Sequence, residues 1–116
     1  MTEGGSHSPD GHSIPSIDVR EAHRRLTVDP GPFVLDVREP WEFAEGHLPG
    51  ARLVPLGELD LRLSEIPHDR PILSVCHVGQ RSLVAAAYLL QSGYSDVTSM
   101  EGGTAAWIES GLPVER

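Results

Sequence analysis

The chain is best understood from one segment, Arg70-Pro71-Ile72-Leu73-Ser74-Val75-Cys76-His77-Val78-Gly79-Gln80-Arg81-Ser82. The apolar run from Ile72 to Val75 predicts a buried strand bounded by Pro71, although a run this short does not by itself exclude a helix. Cys76 follows directly and is the only cysteine in the chain. A helix is predicted next, because apolar residues then recur at helical spacing, namely Leu83, Ala86, Ala87 and Leu90. The segment therefore predicts a strand, a cysteine, a tight loop and a helix.

This loop has the features of a site for a nucleophile or an anion. Backbone N–H groups of a tight loop, and those of the first turn of the following helix, point at whatever the loop surrounds and favour a thiolate there. Gly79 permits the backbone conformations that such a cradle needs, and Arg81 adds a permanent positive charge nearby. A lone cysteine at a strand end is more often a small buried apolar residue, so the prediction depends on this combination. We predict Cys76 as the nucleophile and the other loop residues as its anion cradle: His77, Val78, Gly79, Gln80, Arg81 and Ser82.

Length, charge and composition restrict the class of protein. A chain of 116 residues fits one domain with a single core. A net charge of −8 argues against nucleic-acid binding, which needs basic patches. No apolar run approaches a membrane span and the N-terminus has no charged-then-apolar signal pattern, so we expect a cytoplasmic protein with no membrane partner. One cysteine and six scattered histidines predict neither a disulfide nor a metal site, and no cofactor is predicted.

The rest of the chain alternates between predicted strands and helices. Residues 1–15, rich in Gly, Ser and Pro, are predicted to be a flexible tail, and residues 16–116 to be the domain. The first half of the domain is predicted to contain a strand near Ile14 and Ile17, a helix capped by Asp18, and a strand from Phe33 that leaves Asp36 and Arg38 at its carboxyl end. A short helix from Pro40 and an edge strand over 53–56 are predicted next. The remaining predicted elements are a helical segment over 57–65, a strand over 97–100 and a helix over 104–110. This alternation predicts an α/β fold with a parallel sheet covered on both faces, whose sites lie beyond the carboxyl ends of the strands.

Two upstream segments and the length of the cysteine loop are similar to those of the rhodanese family. The segments are Leu35-Asp36-Val37-Arg38-Glu39-Pro40-Trp41-Glu42-Phe43 and Gly46-His47-Leu48-Pro49-Gly50-Ala51. Four residues separate Cys76 from Arg81, as in the active-site loop of rhodanese sulfurtransferases, whereas cysteine-based phosphatases have a longer loop. The ending from Glu101-Gly102-Gly103 to Trp107 also resembles the family. The resemblance implies a compact domain with a central five-stranded, mainly parallel sheet and helices on both faces.

The resemblance also implies a reaction. Cys76 takes a sulfane sulfur from a donor, either thiosulfate or a persulfide, holds it as a persulfide, and yields it to a thiol, to cyanide or to the thiol of a partner protein. Arg81 is implied either to bind the anionic group of the donor or to brace the loop through an ion pair with Asp36, which is then a supporting residue. Arg38 is implied either to contact the substrate or to pair with Glu42.

Three other residues of these segments have expected structural roles. His47 is expected to fix its own loop by hydrogen bonds. Trp41 and Trp107 are expected in the core or in the wall of a pocket rather than in contact with a cofactor.

Three functions remain open at this point. The leading one is a single-domain sulfurtransferase, and the second is a rhodanese-like binding or redox and sulfur-relay module that acts on a partner protein without independent turnover. The retained Cys76 favours the first, and the loop length argues against the third, a phosphatase or arsenate reductase. Because His77, Val78 and Gln80 place no lysine or arginine inside the loop, we expect thiosulfate to be a poor donor.

Overall fold

The structure, a computed structural model, describes residues 14–116 and contains five strands and four α-helices in that range. The strands are β1 (Ser16–Ile17), β2 (Phe33–Asp36), β3 (Arg52–Leu53), β4 (Ile72–Val75) and β5 (Val97–Met100). The helices are α1 (Val19–Leu26), α2 (Pro40–Glu45), α3 (Arg81–Gln91) and α4 (Gly103–Glu109). Two 3₁₀ helices, Leu56–Leu61 and Leu63–Glu65, connect β3 to β4. None of the helices in residues 14–116 has the length and apolar character needed to cross a membrane.

Most of the predicted tail, residues 1–15, lies outside the described residues. Its last two residues are described, and both contact the domain. Ile14 is buried in the core, and the Pro15 carbonyl accepts a hydrogen bond of 2.9 Å from the Ser99 N–H. The strand predicted near Ile14 and Ile17 is β1.

The five strands form one sheet in the order β1-β5-β4-β2-β3, and every neighbouring pair is parallel. The predicted α/β fold, with a five-stranded parallel sheet and helices on both faces, is confirmed. β2 and β4 are neighbours, and their register places Asp36 opposite Val75. Asp36 and Cys76 therefore lie side by side at the edge of the sheet where the strands end, as expected for a site in this class of fold.

The side chains of β4 alternate between two cores. Ile72 and Cys76 pack on the face covered by α3, together with Leu89 of that helix. Leu73 and Val75 pack on the opposite face, where α1 and α4 lie and where Trp107 is buried. α3 and α4 thus approach the loop after β4 from opposite faces of the sheet.

The connection between β3 and β4 differs from the predicted helical segment over 57–65. It consists of two 3₁₀ helices, and one cause is visible in the sequence. In an α-helix the Leu63 carbonyl would accept from residue 67, but Pro67 has no N–H. The Ile66 N–H donates to Leu63 instead at 3.0 Å, which closes a 3₁₀ turn, and the Tyr94 hydroxyl also lies 3.1 Å from that carbonyl.

Candidate active site

The sulfur of Cys76 is held inside the loop that follows β4. The residue is 1% exposed. Its Sγ accepts hydrogen bonds from the Gly79 N–H at 3.1 Å and the Ser82 N–H at 3.2 Å, and it lies 3.4 Å from Ser82 Oγ. Donors converging on one atom stabilise negative charge there, and Ser82 N belongs to the first turn of α3. The loop can therefore hold a charged sulfur with backbone groups alone.

The side chains of the other predicted cradle residues do not reach the sulfur. His77, Val78 and Gln80 are exposed, and the hydrogen bonds to Sγ found within residues 14–116 come only from the backbone of Gly79 and from Ser82. Gly79 adopts a φ of +103°, a conformation that favours glycine. The cradle is therefore a property of the backbone path rather than of the side chains on it.

Buried serines tie the first turn of α3 to the sheet. Ser82 Oγ lies 2.8 Å from Ser99 Oγ of β5, and Ser74 Oγ of β4 donates to the Ser82 carbonyl at 3.0 Å. All three serines are at most 1% exposed. These bonds fix the Ser82 N–H relative to the Cys76 sulfur, a supporting role that the sequence analysis did not predict for Ser74 or Ser99.

The beginning of the loop is bound by the N-terminus of α4. The Thr104 N–H donates to the Cys76 carbonyl at 2.8 Å, and the Ala105 N–H donates to the His77 carbonyl at 3.0 Å. Gly103 makes this approach possible because its φ is +64° and because an added Cβ would clash with the His77 carbonyl oxygen. A side chain at position 103 would therefore push α4 and the loop apart.

Gly103→Ala is expected to lower the free energy of unfolding by about 1–3 kcal/mol more than Gly111→Ala, since forced overpacking has that cost. Gly111 is a matched control, because its φ is +74° but no heavy atom lies within 4 Å of an added Cβ. Denaturant unfolding of both variants measures the difference. Equal losses of unfolding free energy in the two variants would show that the added methyl group at position 103 is accommodated between α4 and the loop without cost.

The ion pairs around the loop correct the predicted pairing of Asp36 with Arg81. Asp36 is fully buried and pairs with Arg38, whose Nε lies 2.9 Å from Oδ1 and whose Nη2 lies 2.9 Å from Oδ2. Arg38 Nη2 also donates to the Gly46 carbonyl at 2.9 Å. Because the Arg38 guanidinium already binds both carboxylate oxygens of Asp36, that carboxylate is not available to Arg81. Pairing of Arg38 with Glu42, the alternative left open, is also wrong.

Arg81 pairs instead with Glu42 of α2. Its Nη1 and Nη2 donate to Oε1 and Oε2 at 2.9 and 2.8 Å. These bonds, with a smaller contribution from the Glu39 N–H, lower the pKa of Glu42 to about 2. The pKa of Arg81 is raised, mainly by its hydrogen bonds to Glu42 and more weakly by its proximity to Cys76. Arg81 thus braces the start of α3 against α2, and it lies close enough to Cys76 for a weak electrostatic interaction.

A cleft of about 380 Å³ lies beside the loop, between α2 and α4. Trp41 is 66% exposed and Ile108 is 50% exposed at this cleft, so apolar surface flanks its opening. The sequence analysis expected each tryptophan either in the core or in the wall of a pocket. Trp41 lies in the wall of this cleft, and Trp107 is buried in the core. Within residues 14–116 the lining consists of Arg38, Trp41, Glu42, Glu45, Gly46, His77, Thr104, Ala105 and Ile108.

Several cleft residues were not predicted from the sequence. Glu45 follows Glu42 by three residues on α2, and that spacing places both on one side of the helix. Thr104, Ala105 and Ile108 come from α4, a helix that was predicted from the sequence but without any role at the site. His47 lies in the neighbouring loop, where its Nδ1 is 2.8 Å from the Phe43 carbonyl.

The chain matches the model of the rhodanese-like domain over residues 18–110 and belongs to that family. A sulfurtransferase of Allochromatium vinosum is 39% identical over 101 residues, which cover 87% of this chain and 94% of that protein. The thiosulfate sulfurtransferase GlpE of Pseudomonas aeruginosa is 39% identical over 77 residues, which cover 66% of this chain and 70% of that protein. The crystal structure of a rhodanese-related protein from Thermoplasma volcanium superimposes with a TM-score of 0.81 at 31% identity, covering 88% of this chain and 98% of that chain. The resemblance stated from the sequence motifs is therefore confirmed.

Proposed function

We propose that this protein is a sulfurtransferase that carries a sulfane sulfur on Cys76 and passes it to a thiol. The observation that carries the proposal is the position of Sγ, 3.1 and 3.2 Å from two backbone N–H groups, in a chain that has no second thiol. The relatives named as sulfurtransferases support the class of reaction.

The reaction that we propose has two displacements at sulfur. In the first, the Cys76 thiolate attacks the outer sulfur of the donor and forms a new S–S bond. The S–S bond of the donor breaks and its electron pair leaves with sulfite, if the donor is thiosulfate, or with a thiolate, if the donor is a persulfide. In the second, an acceptor thiolate attacks the outer sulfur, and the electron pair of the broken bond returns to Cys76. The N–H groups of Gly79 and Ser82 stabilise Cys76 as the attacking group in the first step and as the leaving group in the second.

The charges around the loop favour a persulfide donor over thiosulfate. The two arginines of the candidate site, Arg38 and Arg81, are each neutralised by a carboxylate, Arg38 by Asp36 and Arg81 by Glu42. Thiosulfate is a dianion, and the net charge of the protein is −8. We therefore infer that thiosulfate is turned over slowly and that weak binding, expressed in KM, limits it.

Val78→Lys is expected to lower the KM for thiosulfate by roughly ten-fold, because it adds a cation to the loop. Val78 is 52% exposed, so the longer side chain can be accommodated. Val28→Lys is the matched control, since that valine is 59% exposed and lies after α1, away from the loop. Steady-state kinetics with thiosulfate and with glutathione persulfide measure the effect. An unchanged KM for thiosulfate in Val78→Lys would show that the absence of positive charge in the loop does not limit the binding of thiosulfate.

The proposed function is tested by intact-protein mass spectrometry after incubation with thiosulfate or with glutathione persulfide. One added sulfur atom is expected, on the peptide that contains Cys76, and a thiol should then remove it. Loading without discharge to any small thiol or cyanide would favour a relay module that serves a partner protein. If neither donor loads the protein, the proposal is wrong.

A further inference from the structure

Three buried side chains form a hydrogen-bonded row at the start of α3. Cys76 Sγ lies 3.4 Å from Ser82 Oγ, and Ser82 Oγ lies 2.8 Å from Ser99 Oγ of β5. All three residues are at most 1% exposed. Within the described residues 14–116, the two hydroxyl groups have no hydrogen-bond partner outside this row. The row therefore ends at Ser99, and each contact along it can hold one hydrogen atom.

The hydrogen atoms of this row match its contacts only when the sulfur is ionised. With a thiol at Cys76, the row holds three hydrogen atoms but has two contacts in which they can be shared. One buried donor is then left without an acceptor, which is unfavourable. With a thiolate, the Ser99 hydroxyl donates to Ser82 Oγ, and the Ser82 hydroxyl donates to Sγ. Both contacts are then used, and no hydrogen atom is left over.

We infer that Ser99 is a positioning residue for sulfur transfer, because its hydroxyl turns the Ser82 hydroxyl toward Cys76 as a donor to the thiolate. Ser82 Oγ then joins the backbone N–H groups of Gly79 and Ser82 as a donor to Sγ. A hydroxyl that itself accepts a hydrogen bond is a stronger donor, so Ser99 acts on the sulfur without touching it. The inference rests on the proposed function and adds a residue on which its attacking thiolate depends. Ser74 differs, since its hydroxyl binds the Ser82 carbonyl and not the Ser82 hydroxyl.

Both hydroxyl groups keep their protons throughout the reaction. When Cys76 ionises, its proton goes to water, and the two hydroxyls rotate so that the Ser82 hydrogen points at Sγ. In the first proposed displacement the electron pair of the thiolate forms the new S–S bond, and in the second an electron pair returns to Sγ. The Ser82 hydroxyl therefore stabilises Cys76 both before it attacks and as it leaves.

Charged and titratable side chains also surround the loop, and they would affect the ionisation of the sulfur if they changed. They lie on the elements packed around Cys76, namely Asp36 and Arg38 after β2, Glu42 on α2, His77 on the loop, Arg81 on α3 and Glu101 after β5. The four residues from β2, α2 and α3 are joined in two ion pairs, and the other two are exposed. Serine-to-alanine substitutions at positions 82 and 99 alter none of these charges, so a change in the ionisation of Cys76 reports on the hydroxyls.

The test follows the ionisation of Cys76 with pH by ultraviolet absorbance, since a thiolate absorbs where a thiol does not. Cys76 is the only cysteine, and Cys76→Ser supplies the blank that removes the signal of the two tyrosines. The variants are Ser99→Ala, Ser82→Ala and the two together. Thr98→Val is the matched control, because it removes a hydroxyl from the neighbouring residue of β5, whose side chain points to the opposite face of the sheet. Denaturant unfolding and the rate of sulfur loading are measured on the same samples.

Ser82→Ala is expected to lower the thiolate fraction on the acid side of the titration curve by roughly ten-fold, and Ser99→Ala by roughly three-fold. Sulfur loading in that range of pH should slow in the same order. In the double variant, Ser99→Ala should add nothing to the effect of Ser82→Ala, because Ser99 acts through the Ser82 hydroxyl. Thr98→Val should leave the titration curve unchanged.

An unshifted curve in Ser99→Ala would overturn the inference and leave Ser99 a purely structural role, whatever stability is lost. An undiminished effect of Ser99→Ala in the Ser82→Ala background, or the same shift in Thr98→Val, would overturn it as well. If Ser99→Ala does not fold, Ser82→Ala alone decides, since an unshifted curve there removes the donor on which Ser99 acts. Failure of the unaltered protein to load sulfur would instead refute the proposed function, whichever way the titration moves.

Discussion

Replacing Cys76 with serine is expected to abolish sulfur loading completely while leaving the fold intact. The chain contains no second thiol that could take its place. A serine hydroxyl accepts hydrogen bonds from the Gly79 and Ser82 N–H groups as the sulfur does, so the loop keeps its donors occupied. Its oxygen is neither ionised near neutral pH nor able to form a persulfide. The free energy of unfolding should change by no more than about 1 kcal/mol, the range of mild substitutions.

Two measurements on the same sample separate loss of chemistry from loss of structure. Intact-protein mass spectrometry after incubation with glutathione persulfide reports loading, and denaturant unfolding reports stability. Any sulfur atom retained by folded Cys76→Ser would contradict the role of Cys76. A variant that fails to fold is resolved by Cys76→Ala, which removes the nucleophile without adding a polar group.

Replacing Arg38 with methionine is expected to lower the free energy of unfolding by about 3–5 kcal/mol, the cost of breaking a buried ion pair. Asp36 is 0% exposed and Arg38 is 4% exposed, so the substitution leaves a buried carboxylate without its partner. It also removes the donor to the Gly46 carbonyl, at the loop that borders the cleft. Methionine fills much of the volume of the arginine stem, which makes loss of the charged contacts the dominant effect.

Arg52→Met is the matched control for this prediction. Arg52 also pairs with a carboxylate at 2.9 Å, that of Glu65, but its side chain is 54% exposed. An exposed pair contributes about 0–1 kcal/mol, so its loss should be small. The double variant Asp36→Asn with Arg38→Met should recover part of the stability, because no charge is then buried. Equal losses of unfolding free energy in Arg38→Met and Arg52→Met, measured by denaturant unfolding, would mean that burial does not increase the cost of breaking the Asp36–Arg38 pair.

The arrangement of strand, cysteine, loop and helix was predictable because each part has a local signal. Three of the four residues from Ile72 to Val75 are apolar and the segment becomes a buried strand, and α3 begins at Arg81, two residues before its apolar spacing starts at Leu83. Alternation of such elements then predicted the parallel sheet and the edge at which Asp36 and Cys76 lie. The position of the candidate site within the fold follows from these same signals.

The ion pairs and the support from α4 were not predictable in the same way. Asp36, Arg38, Glu42 and Arg81 allow more than one pairing, and the choice depends on which guanidinium reaches which carboxylate once β2 and α2 are placed. The contact of Thr104 N with the Cys76 carbonyl joins residues far apart in the chain, and its only local trace is the glycine before it. No periodic pattern encodes a contact of that kind.

The dependence of the Cys76 loop on α4 has a consequence for the biosynthesis of the protein. A ribosome completes Cys76 and its neighbours well before it adds Gly103, Thr104 and Ala105, which hold the Cys76 and His77 carbonyls. Until α4 emerges, the nascent chain has the Cys76 thiol but lacks the N–H groups that bind the start of the loop. The start of the loop is therefore fixed only after Gly103, Thr104 and Ala105 have been synthesised, and a chain that stops before Gly103 retains the Cys76 thiol without the groups that position it.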